Sequence, residues 1–213
     1  MNEKLNFTYS SSEEKLNIWS HAFGLLLSVI AFPFLVIKAF SFNGILKPTS
    51  FIIYGFSLII LYAASTFYHA AIAPKKRRKL NILDHAAIYV LIAGSYTPFS
   101  LVALEADLGW YLFISVWLFA LVGVILKLFF TGRYNKLSTA MYLLMGWQVV
   151  FFINPLIENV SSFSLNYLFI GGVFYSIGAI LYMIKRLPYN HAIFHLFVLL
   201  GSLSHFMAIY YIQ

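Results

Sequence analysis

The sequence contains no cysteine, and few of its residues are charged. Without cysteine there are no disulfides or thiolate ligands, so any transition metal would have to bind nitrogen and oxygen donors. Charged residues make up 10% of the 213 residues, against about 25% in a typical soluble domain. With 62% hydrophobic residues, the chain cannot surround its core with a water-soluble surface. We therefore expect one integral membrane domain.

Long apolar stretches account for most of the chain. A helix that crosses the hydrocarbon core of a bilayer needs about 20 mostly apolar residues, and no stretch shows the alternation of a barrel strand. The sequence therefore predicts an all-α membrane protein with seven transmembrane helices. The fifth span is the shortest and contains Gln148. The predicted spans are 18–40, 51–73, 84–104, 109–130, 137–154, 165–186 and 190–212.

The basic residues are distributed unevenly over the predicted loops. With the N-terminus inside the cell, 12 of the 14 Lys and Arg residues lie on the cytoplasmic side, and only Lys38 and Lys47 lie outside. This predicts a cytoplasmic N-terminal segment, 1–17, a transmembrane domain, 18–213, and a C-terminus outside the cell. The inner set consists of Lys4, Lys15, Lys75, Lys76, Arg77, Arg78, Lys79, Lys127, Arg133, Lys136, Lys185 and Arg186.

The densest basic run is Lys75 to Lys79, between the second and third spans. Such a run can bind nucleic acid, but here the uneven distribution of basic residues explains the net charge of +7 without a nucleic-acid partner. We interpret the five residues as a topology signal that also contacts anionic lipid headgroups.

Several histidines fall at the inner ends of predicted spans. Ionisable groups within spans are costly and are therefore candidates for function, although a single histidine at a helix end is commonly a capping or snorkelling residue. Five of the six histidines would lie at one membrane depth, on four different helices. His191 and His195 are four residues apart, so both imidazoles project from one helix face, about 6 Å apart along the axis. Ser65 and His69 have the same spacing on the second span, and Asp84 begins the third.

The set of Ser-x3-His, Asp and His-x3-His suggests a metal site. Three neutral imidazoles with an open fourth position are the ligand set of a catalytic zinc ion. A haem held by two histidines is the alternative cofactor, but it leaves Ser65 and Asp84 without a role. The residues favour zinc.

Three further histidines have other predicted roles. His85 follows Asp84 by one residue and turns about 100° away on a helix, so we interpret it as an interface residue or a partner for lipid headgroups. His21 is either an outer partner of the site or a helix-start residue. His205 lies about 21 Å along the last span from His191, and we expect it to hydrogen bond to another span, with Gln148 as one possible partner.

Motifs along nearly the whole chain resemble one family, the bacterial hemolysin III-type proteins. This family belongs to the superfamily that also contains the progestin and adiponectin receptors and the alkaline ceramidases. The resemblance implies a multi-pass protein of the bacterial plasma membrane. The matching stretches are Glu14-Lys-Leu-Asn-Ile-Trp-Ser-His21, Ser65-Thr-Phe-Tyr-His69, Leu83-Asp-His85, Gly94-Ser-Tyr-Thr-Pro98, Gly146-Trp147, His191-Ala-Ile-Phe-His195 and Ser204-His205-Phe206.

The resemblance also implies a specific site and chemistry. It implies a zinc ion held by His69, His191 and His195, with Asp84 and Ser65 as catalytic residues beside it. Similarity to ceramidases suggests hydrolysis of a ceramide-like lipid amide. Two other functions stay open: a pore-forming cytolysin, as the family name suggests, and a non-catalytic membrane sensor or homeostasis protein with a structural zinc.

Overall fold

The computed structural model describes residues 9–104 and 106–212, so Lys4 and the first eight residues of the predicted N-terminal segment lie outside it. A π-helical turn, Phe99–Ala103, follows the third helix, and a 3-10 turn, Gln148–Phe152, joins the fifth helix to the sixth. The α-helices are α1 (Ser11–Ala39), α2 (Leu46–Ala70), α3 (Pro74–Pro98), α4 (Ala106–Phe130), α5 (Asn135–Gly146), α6 (Ile153–Asn159), α7 (Ser162–Met183) and α8 (Asn190–Tyr210).

Among the described residues, seven segments are long and apolar enough to cross a membrane, which confirms the predicted fold class. No strand occurs in the part of the chain that the structure describes. The fifth span, Asn135–Asn159, consists of α5, the 3-10 turn and α6. The Tyr96 hydroxyl bridges this break, donating to the Gly146 carbonyl at 2.7 Å and accepting from the Val149 N–H at 2.8 Å. The bridge satisfies backbone groups that would be costly to leave unpaired in a bilayer.

Two helices begin well before the predicted spans. Helix α1 begins at Ser11 instead of residue 18, and the side chain of Ser10 caps it by accepting from the Glu13 N–H at 3.2 Å. Helix α3 begins at Pro74 instead of residue 84. Proline suits the first helical position because a backbone N–H there would have no acceptor within the helix. The run Lys75 to Lys79 therefore forms the first turns of a helix. Hydropathy alone missed these polar turns.

The helices form a closed bundle. Helices α1 to α4 pack against one another in sequence order, and α8 packs between α7 and α1. Helix α5 lies against α3, α4 and α7, and α3 is the most buried of the spans. The outer faces are apolar, as Ile30, Phe34 and Ile37 on α1 illustrate. This arrangement brings the start of α1, the end of α2 and the starts of α3 and α8 together at one end of the bundle.

Helices α7 and α8 approach closely at Gly171. A Cβ atom at Gly171 would lie 2.1 Å from the ring of His205, so only glycine fits without rearrangement. His205 Nε2 donates to the Leu168 carbonyl on α7 at 3.2 Å. The hydrogen bond to another span is thus present, but its partner is Leu168 and not Gln148. The Gln148 side chain instead accepts a hydrogen bond from Ser115 at 3.4 Å.

The orientation of the bundle in the membrane is a prediction from the basic residues. We expect a reporter fused after Gln213 to be extracytoplasmic, because 12 of 14 basic residues then stay inside. A protease site inserted at 75–79 should resist cleavage on intact cells and be cut in inverted vesicles. Cleavage on intact cells would contradict the predicted orientation and indicate the opposite one.

Candidate metal centre

Three buried histidines meet at the end of the bundle where α2 finishes and α8 begins. His69 comes from the last turn of α2, and His191 and His195 come from one face of α8. His191 Nε2 lies 3.1 Å from His69 Nε2 and 3.1 Å from His195 Nε2. One nitrogen from each ring lies within 4.8 Å of the other two. The three residues are therefore close enough to bind one metal ion.

Hydrogen bonds at Nδ1 determine which nitrogen carries the proton in two of the rings. His69 Nδ1 lies 2.7 Å from Glu14 Oε2, and because an ionised carboxylate can only accept, Nδ1 carries the hydrogen. His195 Nδ1 lies 3.2 Å from Ser20 Oγ, which donates its own hydrogen to the Asn17 carbonyl at 3.1 Å. This Nδ1 is therefore also a donor. With Nδ1 as the donor in each of these two rings, the Nε2 atom is the one available to bind a metal ion.

The three Nε2 atoms suit a metal cation better than a shared proton. His191 Nε2 can donate a hydrogen to only one of its two neighbours. Nitrogen ligands of a tetrahedral zinc ion, bound at about 2.0–2.1 Å, lie about 3.3 Å apart. The separations of 3.1 Å in this cluster are close to that value. A divalent ion would satisfy all three lone pairs, so these residues fit a zinc site.

Glu14 and Arg77 support His69 from the far side of its ring. The Glu14 carboxylate accepts from His69 with one oxygen and forms an ion pair with Arg77 through the other. Arg77 also donates to the carbonyls of His69 at 3.2 Å and Ala71 at 3.3 Å, where α2 ends. Such a carboxylate orients an imidazole and makes it a more basic ligand. Arg77 is thus bonded inside the protein, whereas we had grouped it with residues that contact lipid headgroups.

The N-terminal part of the described chain also contacts the other two histidines. The phenol ring of Tyr9 stacks on His191, with 4.7 Å between ring centroids, and burial raises the pKa of Tyr9, so the hydroxyl stays neutral. Glu13 Oε1 accepts from the His191 backbone N–H at 3.3 Å. His21 stacks on His195 at 3.5 Å. Residues that we had predicted to be a cytoplasmic segment therefore help to build the site.

Sequence reasoning allowed His21 as an outer partner of the site but did not predict a role for the turns of α1 before it, although a signal was present. Glu14, Asn17 and His21 are spaced three and four residues apart, so they share one helix face. The buried stripe continues through Gly24 and Ser28. A polar stripe at helical spacing, leading into an apolar span, indicates an inward face with polar partners.

Ser65 and Asp84 both line a cavity of about 130 Å³, together with His191 and His195. The Ser65 hydroxyl is buried and has no hydrogen-bond partner among the described residues. Asp84 is 7% exposed, so its carboxylate is available mainly to a molecule inside the cavity. The structure therefore places both predicted catalytic residues in the cavity that two of the triad histidines line.

His85 also lines this cavity, so our interpretation of it as an interface residue is wrong. Its Nδ1 donates to the Asn81 carbonyl at 2.9 Å and lies 3.8 Å from Asp84 Oδ2. His85 does point away from Asp84 by one helical step, as predicted, but α5 packs against this part of α3 and covers it. The Tyr142 hydroxyl of α5 donates to the His85 carbonyl at 2.9 Å.

Comparison with known proteins places the chain in a family. A family model described as "Haemolysin-III related" matches residues 9–206. "Hemolysin-3" of Bacillus cereus is 42% identical, with 98% of this chain and 96% of that protein aligned. "Hemolysin-3 homolog" of Bacillus subtilis is 43% identical over 94% of each chain. Human "Monocyte to macrophage differentiation factor" is 28% identical, with 93% of this chain and 83% of that protein aligned.

No solved structure matches the chain. The family model nevertheless extends from the residues beside the histidine cluster to the last turns of α8, and both Bacillus relatives align over almost their full length. With seven spans in the described chain, the protein is therefore a multi-pass membrane protein that belongs to the Haemolysin-III related family.

Proposed function

We propose that this protein is a zinc-dependent membrane hydrolase that acts on a lipid amide, as a ceramidase does. One observation carries the proposal: three imidazole nitrogens converge beside a cavity that Ser65 and Asp84 also line. The histidines lie at the end of the bundle, where the polar linkage of a lipid would meet them while its chains stay among apolar side chains. The apolar walls include Leu61, Ile92 and Val198.

The residues have distinct roles in this proposal. His69, His191 and His195 would hold the metal through Nε2, and Glu14 would keep the His69 ring oriented. A zinc ion bound there would supply a Lewis acid for a carbonyl oxygen and would promote ionisation of water.

The protein's own groups would manage the proton and the substrate. The Asp84 carboxylate would accept a proton from the attacking water and deliver it to the leaving group. The unpartnered Ser65 hydroxyl would hydrogen bond to the water or to the substrate carbonyl. The apolar walls would exclude bulk water and position the acyl chain.

The geometry favours zinc over a haem with two histidine ligands. Axial imidazoles approach a haem iron from opposite faces of the macrocycle, which must fit between them. The imidazole nitrogens here lie within 4.8 Å of one another, and three of them converge instead of two. That arrangement suits a single small ion with several nitrogen ligands.

The anionic headgroups of the inner leaflet are a second proposed partner of the protein, bound by the basic run at 75–79. Lys75, Lys76, Arg78 and Lys79 are exposed on the first turns of α3, whereas Arg77 is buried against Glu14. Exposed basic residues at this position attract anionic lipids with about 1 kcal/mol each. We propose no nucleic-acid partner.

Purified protein tests the proposed function directly. We expect about one zinc ion per chain and hydrolysis of ceramide-like amides in mixed micelles, lost on chelation and restored by zinc. Ester lipids are tested as further substrates. Vesicles loaded with a fluorescent dye are used to measure pore formation as dye release. Zinc-loaded, folded protein that hydrolyses nothing in a broad panel would favour a sensor. Dye release without hydrolysis would favour a cytolysin.

A further inference from the structure

Lys127 is the most deeply buried charged side chain among the described residues. It lies near the end of α4 and is 2% exposed, although its neighbours Leu126 and Leu128 face outward with 37% and 54% exposure. The sequence suggested an ordinary cytoplasmic lysine that marks topology. The structure instead turns its ammonium group into the bundle.

The ammonium group of Lys127 has no salt-bridge partner among the described residues, although the Asp84 carboxylate is near enough to interact with it electrostatically. Buried Arg77, by contrast, is paired with Glu14. The ammonium group lies over the ring of Tyr142, with 5.9 Å between Nζ and the ring centroid. An unpaired buried charge costs several kcal/mol, and within a membrane protein such a group commonly marks a ligand pathway.

The surroundings of Lys127 suit one end of an amphiphile. Lys127 lines the same cavity as Asp84 and His191, and Asp84 lies beyond salt-bridge distance. The cavity also includes Asn135, whose Oδ1 atom is buried without a hydrogen-bond partner. The remaining wall is mainly apolar and aromatic. A ligand with an anionic group beside Lys127 and a hydrocarbon chain along this wall would neutralise the buried ammonium group and fill the apolar part of the cavity.

We propose that Lys127 binds the anionic headgroup, phosphate or carboxylate, of a lipid that occupies the cavity beside the histidine cluster. Lysine binds such oxygen anions as a point charge, with strong charge-assisted hydrogen bonds. The inference rests on the proposed function insofar as the two share a cavity. It narrows the substrate class from neutral ceramide-like lipids to acyl amides or esters that carry an anionic group.

Calorimetric titration of the full chain in a neutral sugar detergent tests this site. The probes are dodecyl phosphate, dodecanoate and neutral dodecanol, which share one chain length. We expect wild-type protein to bind an anionic probe at least about 10-fold more tightly than dodecanol, because only the anionic probes can accept a charge-assisted hydrogen bond from Lys127. Tighter binding of the phosphate or of the carboxylate identifies which headgroup the site takes.

Matched variants assign the effect to Lys127. Lys127→Met should abolish the preference for anionic probes and leave dodecanol binding unchanged, and Lys127→Arg should retain the preference. Lys136→Met is the control, because Lys136 is an exposed lysine on neighbouring α5. If Lys127→Met does not fold, Lys127→Gln and Lys127→Arg form the decisive pair.

Two results would overturn the site: equal wild-type affinity for dodecanol and the anionic probes, or equal loss in the Lys127 and Lys136 variants. Binding of these probes requires no turnover. Lys127-dependent binding by an inert protein would therefore contradict the hydrolase alone, and hydrolysis by a protein that binds dodecanol and the anionic probes equally would contradict this site alone.

Discussion

Alanine at His69, His191 or His195 should reduce bound zinc from about one ion per chain to a small fraction. Each substitution removes one of three converging nitrogens, and the loss should exceed about 100-fold in affinity, because even an outer partner of a ligand contributes about 10–100-fold. Metal analysis of detergent-purified variants and competition with a chelator measure the effect.

His205→Ala is the matched control for this experiment. His205 is also a histidine of α8, but it packs against Gly171 and bonds to the Leu168 carbonyl, away from the cluster. The variant should therefore keep its zinc even if it loses some stability. Equal zinc loss from all four alanine variants would indicate general misfolding and would contradict a specific site.

Asp84→Asn should lower lipid hydrolysis by about 10²–10⁴-fold while retaining most of the zinc. Asparagine preserves the shape of the side chain but cannot accept a proton, and general acid-base groups typically contribute this much. The assay is hydrolysis of ceramide-like and other acyl lipids, with zinc content and thermal unfolding measured on the same samples. Asp107→Asn is the control, because it makes the same change at an exposed carboxylate.

A structural zinc predicts a different result for Asp84→Asn. In that case the substitution should change metal affinity or thermal stability and there should be no turnover to lose. A variant that hydrolyses lipid as fast as wild-type protein would remove Asp84 from the proton-transfer role. Unchanged hydrolysis together with unchanged zinc content would contradict both roles.

The sequence predicted the number of spans because hydropathy is a local property. About 20 apolar residues in succession favour a transmembrane helix whatever lies beside them, and the described residues include seven such segments. The four-residue spacing of His191 and His195 likewise placed both rings on one face, since helical geometry is periodic. Hydropathy did not predict the polar first turns of α1 and α3, because contacts with other helices stabilise those turns.

Contacts between distant segments decided the rest of the candidate site. Whether Arg77 faces lipid or Glu14, and whether Lys127 extends to the interface or into the cavity, depends on which helix packs alongside. The break at Gly146 is tolerated because Tyr96, 50 residues earlier, satisfies its backbone. The chain by itself determined a seven-span membrane protein with histidines at one depth. Only tertiary packing decided which nitrogens converge and which charges are paired, because free energies of burial and ion pairing depend on neighbours that are remote in sequence.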